Sequence, residues 1–574
     1  MEKAWLKLYP QGIPAAVDID AFASLPDILR RSCSRFADRR AYSNMGVSLS
    51  YRELDEASRD FGAYLQGELG LRKGERIAIM LPNLLQYPVA LFGALRAGLT
   101  VVNVNPQYTA RELEHQLSDS GAAAIVVLQN FAHTLQEVLE RNPALKLRVI
   151  SSEVGDMFPV VKELLTDFVV KVVKHMVAPW HIAGAVSFKA ALRGGRERRL
   201  DEPALVHADI AFLQYTGGTT GVAKGVVLTH GNLVANVQQV AAWIARDLVD
   251  GAETALIPLP LYHVYALTSN LVFMKIGAHI VLITNPRELA DFVAVLKKTP
   301  VTAMIGVNTL YRALLGAPGF DEVDMTRLKL SAAGGMAVQR VVAQQWKQRT
   351  GVPLVEGYGL TESAPVVISN TLDIDDWTGN IGLPIPSTEA AILDDEDKEL
   401  RAGEVGEIVV RGPQVMSAYW HRPDETVKVF TAQGWLRTGD MGFMDESGRF
   451  KITDRKKDMI IVSGFKVFPN EIEDVVAMHP GVLEAAVIGV PDEKSGEAVK
   501  LIVVPADPAL TEAELLEHCR QNLTPYKLPK IIEFRSEPLP KSNIGKILRR
   551  KLREPTLPVT AHARSGQQVQ GGER

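Results

Sequence analysis

Cysteine is scarce in this chain, with two in 574 residues, Cys33 and Cys519. They lie far apart and form no spacing that would ligate a metal, so neither a zinc framework nor a disulfide-stapled fold is expected. A reducing compartment fits best. An excess of one charge is also missing: 63 Lys plus Arg face 67 Asp plus Glu, for a formal net charge of −4. Near balance argues against nucleic acid as the main partner. The opening residues, MEKAWLKLYPQG, carry charges and no long apolar region, so no secretory signal is expected. One stretch, TALIPLPLYHVYALTSNLVFM at 254–274, lacks Asp, Glu, Lys and Arg, yet Pro258, Pro260, His263 and Asn270 interrupt it. Hydrocarbon tolerates such breaks poorly, and a buried strand, a loop and a buried helix are expected instead of a membrane span.

What remains is an ordinary globular composition, 47% hydrophobic and 23% charged, long enough for several domain-sized units. Ser50 and Glu53 have capping-box spacing, and Leu54, Ala57, Phe61 and Leu65 follow at helical intervals. Short apolar runs at 77–81, 125–128, 226–230, 255–260, 279–283 and 353–356 read as strands between helical segments. The alternation predicts an α/β body with mostly buried sheets. Segments such as GEIVVRG and GRFKITD between 388 and 450 predict a smaller β-rich portion. After Asp454 a helix from Glu471, strands at 485–490 and 499–504, and a helix capped by Thr511 and Glu514 predict a separate α+β domain. Residues 1–453, 454–555 and a flexible tail at 556–574 are the expected divisions.

Residues 164–200 are apolar with interspersed cations. Between Lys171 and Arg199 seven Lys or Arg stand against one acidic residue, a local charge of +6. Such an element adsorbs to anionic lipid, or it packs on the protein beside a solvated charged loop.

Residues 215–226 read YTGGTTGVAKGV. Three close glycines permit tight turns that bring N–H groups near an anion, and three Thr hydroxyls add donors. The order is not that of a Walker loop, because Lys224 precedes Gly225 instead of following a glycine and preceding Ser or Thr. By composition alone the segment could also be an ordinary Gly/Thr surface loop. The arrangement, however, resembles the phosphate loop of the adenylate-forming superfamily, and further matches occur in order: YGLTE at 358–362, TGD at 438–440, DRKKDMIIVSGFKVFPNEIE at 454–473 and PKSNIGKILRR at 540–550. The resemblance spans roughly residues 20–553. Within the superfamily the chain is most similar to bacterial long-chain fatty acid–CoA ligases, through YTGGTTGVAKGVVLTH, IPLPLYHVYAL, the basic apolar insertion and TPYKLPK at 524–530.

That resemblance implies a large N-terminal adenylate-forming body, a hinge near Lys457 and a small mobile C-terminal domain. It implies a Mg²⁺- and ATP-dependent ligase that forms fatty acyl-AMP and pyrophosphate, then fatty acyl-CoA and AMP. Thr216, Gly217, Gly218, Thr219, Thr220 and Gly221 are expected around the phosphates, with Lys224 as a lesser contact. Thr220 and Glu362 are the expected Mg²⁺ ligands. Tyr358 is expected against adenine, with Gly334, Gly335, Gly359 and Thr361 lining the nucleotide site. Asp440 should accept from ribose hydroxyls, and Arg455 should assist there. Lys546 is expected on the acid's carboxylate during adenylation, Gly464 beside the pantetheine arm of CoA, and His263 at the fatty-acid tunnel. Read singly, Lys546 and Arg455 are surface cations, Glu362 a helix cap, Asp440 and Gly464 turn residues, and His263 a core histidine. A medium-chain or aryl acid–CoA ligase, an acyl-AMP ligase serving a carrier protein, and an idle lipid-binding protein are the alternatives. The expected location is cytoplasmic, with reversible contact at the inner membrane. The oligomeric state stays open, a homodimer being one option.

Overall fold

The structure, a computed structural model, describes residues 3–216, 223–492, 494–542 and 545–553. The expected tail at 556–574 lies outside them. The protein is mixed α/β and divides into a large unit, Met1–Met459 with Asn543–Lys546, and a small unit, Ile460–Ser542 with Ile547–Arg574.

Two largely parallel sheets dominate the large unit, because its short apolar runs suit strands covered on both faces. Among the described residues the first sheet runs Val186–Ser187, Arg148–Ser152, Ala124–Leu128, Arg76–Met80, Thr100–Asn103, Ile210–Tyr215, Gly225–Thr229. Only its last pair is antiparallel. The second runs Leu383–Pro384, Val366–Ser369, Leu354–Gly359, Leu330–Gly334, Ala303–Gly306, Thr254–Ile257, His279–Leu282, Arg40–Asn44, Val47–Ser50. From Leu354–Gly359 across to Arg40–Asn44 it is parallel. A third, antiparallel sheet holds Glu389–Leu393, Gly406–Arg411, Leu436–Met444 and Phe450–Arg455. It accounts for the β-rich texture read from 388 onward.

Helix Tyr51–Gly67 opens with the expected capping box on Ser50 and Glu53, and it buries Leu54, Phe61 and Leu65. It crosses Gln86–Arg96, a helix buried along its whole length. Glycine lets the two backbones meet: a Cβ on Gly62 would lie 2.8 Å from the Gly93 carbonyl, and one on Gly93 2.8 Å from that of Ser58. Alanine at either position would force the helices apart. The uncharged stretch resolves into strand Thr254–Ile257, a loop, and helix Val264–Lys275. Among the described residues no helix is long and apolar enough to cross a membrane.

The small unit has its own sheet, Phe465–Val467, Ile460–Val462, Gly496–Pro505, Val482–Asp492, with Ile531–Phe534 beside Gly496–Pro505. Helices Pro469–Ala477 and Glu512–Asn522 help close its core, which includes Ile472, Val476, Val487, Leu501 and Leu515. Thr511 and Glu514 form the predicted cap, whereas the first helix starts at Pro469, ahead of Glu471, because proline suits the first helical turn. Cys33 and Cys519 are both free and buried. Burial pushes their thiols up to about 12 and about 11, so both remain protonated and unreactive at neutral pH.

Candidate active site

In open α/β sheets ligands gather outside the carboxyl ends of the parallel strands, where loops and unpaired backbone groups converge. Many of the sequence-predicted residues lie there. Thr216 follows strand Ile210–Tyr215, His263 comes soon after Thr254–Ile257, Gly334 and Gly335 close Leu330–Gly334, and Tyr358, Gly359, Thr361 and Glu362 end Leu354–Gly359 and begin the short helical turn Thr361–Ser363.

The glycine- and threonine-rich loop joins an antiparallel pair whose last register match is Tyr215 with Gly225. Just beyond it the Thr216 N–H donates to the Lys224 carbonyl at 3.0 Å. Gly217, Gly218, Thr219, Thr220 and Gly221 lie outside the described residues. The base of the loop is firmly held. The Tyr215 hydroxyl donates to Asp119 at 2.6 Å, Arg422 reaches the other oxygen of Asp119 at 3.0 Å, and the Trp420 N–H donates to the Gly225 carbonyl at 2.7 Å. Lys224 points toward Glu425, 2.5 Å away, and lies 5.1 Å from the centre of the Tyr419 ring.

Two of the predicted carboxylates are each held by a tyrosine. Tyr358 donates to Asp440 Oδ2 at 2.6 Å, and Arg455 Nε lies 3.5 Å from Oδ1. Asp440 and Arg455 are opposite one another in the pairing of Leu436–Met444 with Phe450–Arg455, so the ladder itself fixes their proximity. Tyr419 donates to Glu362 Oε1 at 2.7 Å. Burial and then the adjacent carboxylate raise both phenols far above their ordinary range, so each keeps its proton and acts as a donor. A cleft of about 270 Å³ opens beside the Glu362–Tyr419 pair, lined by Leu360, Glu362, Tyr419, Thr438 and Gly439 among others.

The glycines have distinct local reasons. A Cβ on Gly334 would sit 3.1 Å from the Gly357 carbonyl and 3.3 Å from the Tyr265 ring. Gly335 has a positive φ of 77°. A Cβ on Gly359 would fall 2.0 Å from the Pro365 carbonyl, so close packing alone demands glycine there. In the small unit Ser463 and Gly464 both have positive φ, 51° and 85°, and form the turn between Ile460–Val462 and Phe465–Val467; the space beside Gly464 is open.

His263 caps helix Val264–Lys275, its Nδ1 accepting from the Tyr265 N–H at 3.3 Å. The neutral ring therefore carries its proton on Nε2. Burial, and then the positive charge of Lys546, lower its pKa to about 4, so the ring is neutral at pH 7. Lys546 belongs to the segment grouped with the large unit. The loop before His263 is clamped by buried amides: Asn83 accepts from the Leu261 N–H at 2.8 Å, and Gln214 donates to the Tyr262 carbonyl at 2.6 Å.

Sequence reasoning missed Tyr419, Asp119, Glu425, Asn83 and Gln214. No local motif marks them: Tyr419 is 57 residues from Glu362, and Lys224 is 201 from Glu425.

With this geometry in view, the class is defined. A model of AMP-binding enzymes matches residues 29–420 and one of the AMP-binding enzyme C-terminal domain matches 471–546, and the chain belongs to this adenylate-forming family. It is 55% identical over 555 residues to a long-chain-fatty-acid–CoA ligase of Escherichia coli O157:H7, covering 96% of this chain and 98% of that protein. It is 51% identical over 558 residues to the enzyme of the same name from Haemophilus influenzae, covering 96% and 98%. Among solved structures, the anthranilate CoA ligase AuaEII in complex with anthranoyl-AMP matches with a TM-score of 0.81 and 26% identity, covering 94% of this chain and 98% of that one.

Proposed function

We infer that the protein ligates a long-chain fatty acid to coenzyme A at the expense of ATP. The observation that carries this reading is the near-complete alignment, at 51–55% identity, with long-chain-fatty-acid–CoA ligases. The chemistry is dictated by a poor leaving group. A carboxylate cannot expel oxide, so its oxygen attacks the α-phosphorus of ATP, pyrophosphate departs, and an acyl-AMP forms. CoA sulfur then attacks the acyl carbon, the C–O bond to AMP breaks, and the thiol proton leaves to solvent or a local group.

The residues named above fit these steps. Asp440, gripped by Tyr358 and Arg455, is a fixed acceptor suited to a pair of ribose hydroxyls, and the half-buried Tyr358 ring gives adenine a flat face. Thr216 and Lys224 flank the loop assigned to the phosphates, with Gly217, Gly218, Thr219, Thr220 and Gly221 as its donors. Gly334, Gly335, Gly359 and Thr361 line the nucleotide by backbone. Glu362 suits Mg²⁺: it is a hard carboxylate, Tyr419 occupies one acceptor site, and a carboxylate offers about four. It would hold the ion with Thr220, and the bound ion would offset charge on the phosphates. Lys546 is assigned to the two anions that must meet. Opposite unit charges at about 4 Å attract by roughly 4 kcal/mol at an effective dielectric near 20. Rotation near Lys457 would withdraw Lys546 and bring the Gly464 turn to the pantetheine arm. His263, neutral and half-buried, borders the acyl chain without placing a cation against it. Each methylene moved from water contributes roughly 0.8 kcal/mol, so affinity should climb with tail length until the tunnel ends. Because such acids partition into lipid, the reading includes a cytoplasmic location and peripheral contact with the inner membrane.

The test is CoA-ester formation with Mg²⁺-ATP across a graded acid panel, reading pyrophosphate and AMP separately. Acids of 16–18 carbons should exceed octanoate and benzoate at least about tenfold in kcat/KM, which is less than two methylenes' worth of binding. Equal or reversed preference would move the assignment to the medium-chain or aryl alternative.

A further inference from the structure

A helix on the surface of a soluble protein ordinarily turns its apolar stripe inward. Helix Val160–Phe168, which continues as a π-helical turn over Val169–Val173, does the reverse. Val161, Leu164, Leu165, Phe168, Val172 and Val173 are between 51% and 73% exposed. The inward face is mostly polar, with Val170 half-buried against the core. Glu163 pairs with Lys189 at 2.6 Å, Asp167 accepts from the Gly155 N–H at 3.0 Å, and Lys171 pairs with Glu153 at 2.8 Å. These contacts fix the helix with its apolar side in solvent.

The sequence pattern matches the backbone. Adjacent apolar pairs recur every four positions from 160 to 173. On an α-helix of 3.6 residues per turn that repeat drifts by about 40° each time. The wider π turn at 169–173 takes up part of this drift and keeps the stripe on one side. Lys162 bonds to the carbonyl of Met45, bringing this exposed hairpin-tip residue alongside.

Charge identifies the occupant. Residues 171–199 carry a formal +6, and the Lys189–Glu163 pair ties helix Phe188–Arg196 to the stripe helix. Lys189, Arg196 and Arg198 are engaged with Glu163, Asp60 and Glu68. Lys174, Arg193 and Arg199 are exposed and have no ion-pair partner among the described residues. A second copy docking here would set like charge against like charge, whereas an anionic lipid headgroup layer is complementary.

We propose that the face formed by residues 160–173 is the surface by which this protein docks on an anionic phospholipid bilayer, lying in the interfacial plane with Lys174 and Arg193 toward the headgroups. The proposal deepens the membrane contact in the reading above and rests on it. It moves the contact from the basic stretch 171–199 to the apolar stripe before it, with the free cations as auxiliaries.

The experiment is partitioning of the full chain onto phosphatidylglycerol/phosphatidylcholine vesicles, comparing wild type with V161S/L164Q/L165Q/V172S. All four sites are exposed, so the fold should be retained; acyl-CoA formation from a soluble medium-chain acid serves as the check. The stripe variant should bind at least about tenfold more weakly at equal turnover, equivalent to about 1.4 kcal/mol. In a second arm, Leu164→Trp should show a blue-shifted emission quenched by bilayer-brominated lipid. Undiminished binding and no quenching would overturn the stripe as the docking surface while leaving membrane contact standing. Absence of wild-type binding would overturn both, without touching the ligase activity. A stripe-dependent dimer by sedimentation, with no vesicle binding, would assign the face to a second copy and overturn the proposal.

Discussion

Around Asp440 and Glu362 polar side chains are held by other polar side chains, with Tyr358, Arg455 and Tyr419 all converging on carboxylates. Along 160–173 the opposite holds, and large apolar side chains stand in solvent above a polar underside. The first region is built for precision, because donors fixed in advance cost little reorganisation when charge develops. The second is suited to a soft partner, since apolar area needs no directional match. Chemistry and location should therefore separate cleanly on mutation.

Lys546→Ala offers the largest test. Acyl-adenylate formation should fall about 10²–10³-fold, the range for removing one electrostatic group from a reacting centre, while thioester formation from supplied acyl-AMP stays within a few-fold. Equal loss of both half-reactions would break the division of labour. Acid sharpens the comparison next, since the outward stripe has no ionisable side chain at its exposed apolar positions. His230 is buried, its Nδ1 accepting from the Leu25 N–H, and burial lowers its pKa to about 4. The unfolded chain takes up that proton near 6.5, so stability is complete above pH 6.5 and is lost as pH falls toward 4. This group alone should contribute up to about 3 kcal/mol of the loss. Urea midpoints at pH 7 and 4.5 measure it, and His230→Gln should flatten the slope.

Glu362→Gln should lower kcat/KM about 100-fold and raise the Mg²⁺ concentration for half-activity, in keeping with loss of a hard anionic ligand. An unchanged Mg²⁺ titration would remove Glu362 from the metal. The stripe variant follows with its roughly tenfold loss of vesicle affinity and unaltered turnover on soluble acid. Tyr419→Phe should be mildest, costing about 0.5–1.5 kcal/mol, or a few-fold in rate, for one hydrogen bond that orients Glu362. Steady-state kinetics with Mg²⁺ saturating would check it.

Much of the fold was legible because it is locally encoded. Ser50 and Thr511 cap helices through residues three positions away, and the apolar runs at 77–81 and 125–128 fall, apart from Leu81, in the buried parallel strands Arg76–Met80 and Ala124–Leu128. The site was legible only as far as its motifs. YGLTE and TGD contain Tyr358, Glu362 and Asp440, but nothing in either string says that the Tyr358 hydroxyl meets Asp440 82 residues later. Tyr419 and Asp119 were invisible because an isolated tyrosine or aspartate has no periodicity or spacing to set it apart.

The amino-acid order by itself determined the element types, the family motifs and the four-residue apolar repeat at 160–173, since each depends on neighbours within a few positions. The tertiary structure alone decided which way that repeat faces and which carboxylate each tyrosine holds. Both outcomes depend on groups far apart in the chain: Lys189 drawing Glu163 inward, and strand pairing setting Asp440 opposite Arg455. A helix with one apolar side can turn it to either the core or the solvent, and only the anchors on its other side fix the choice.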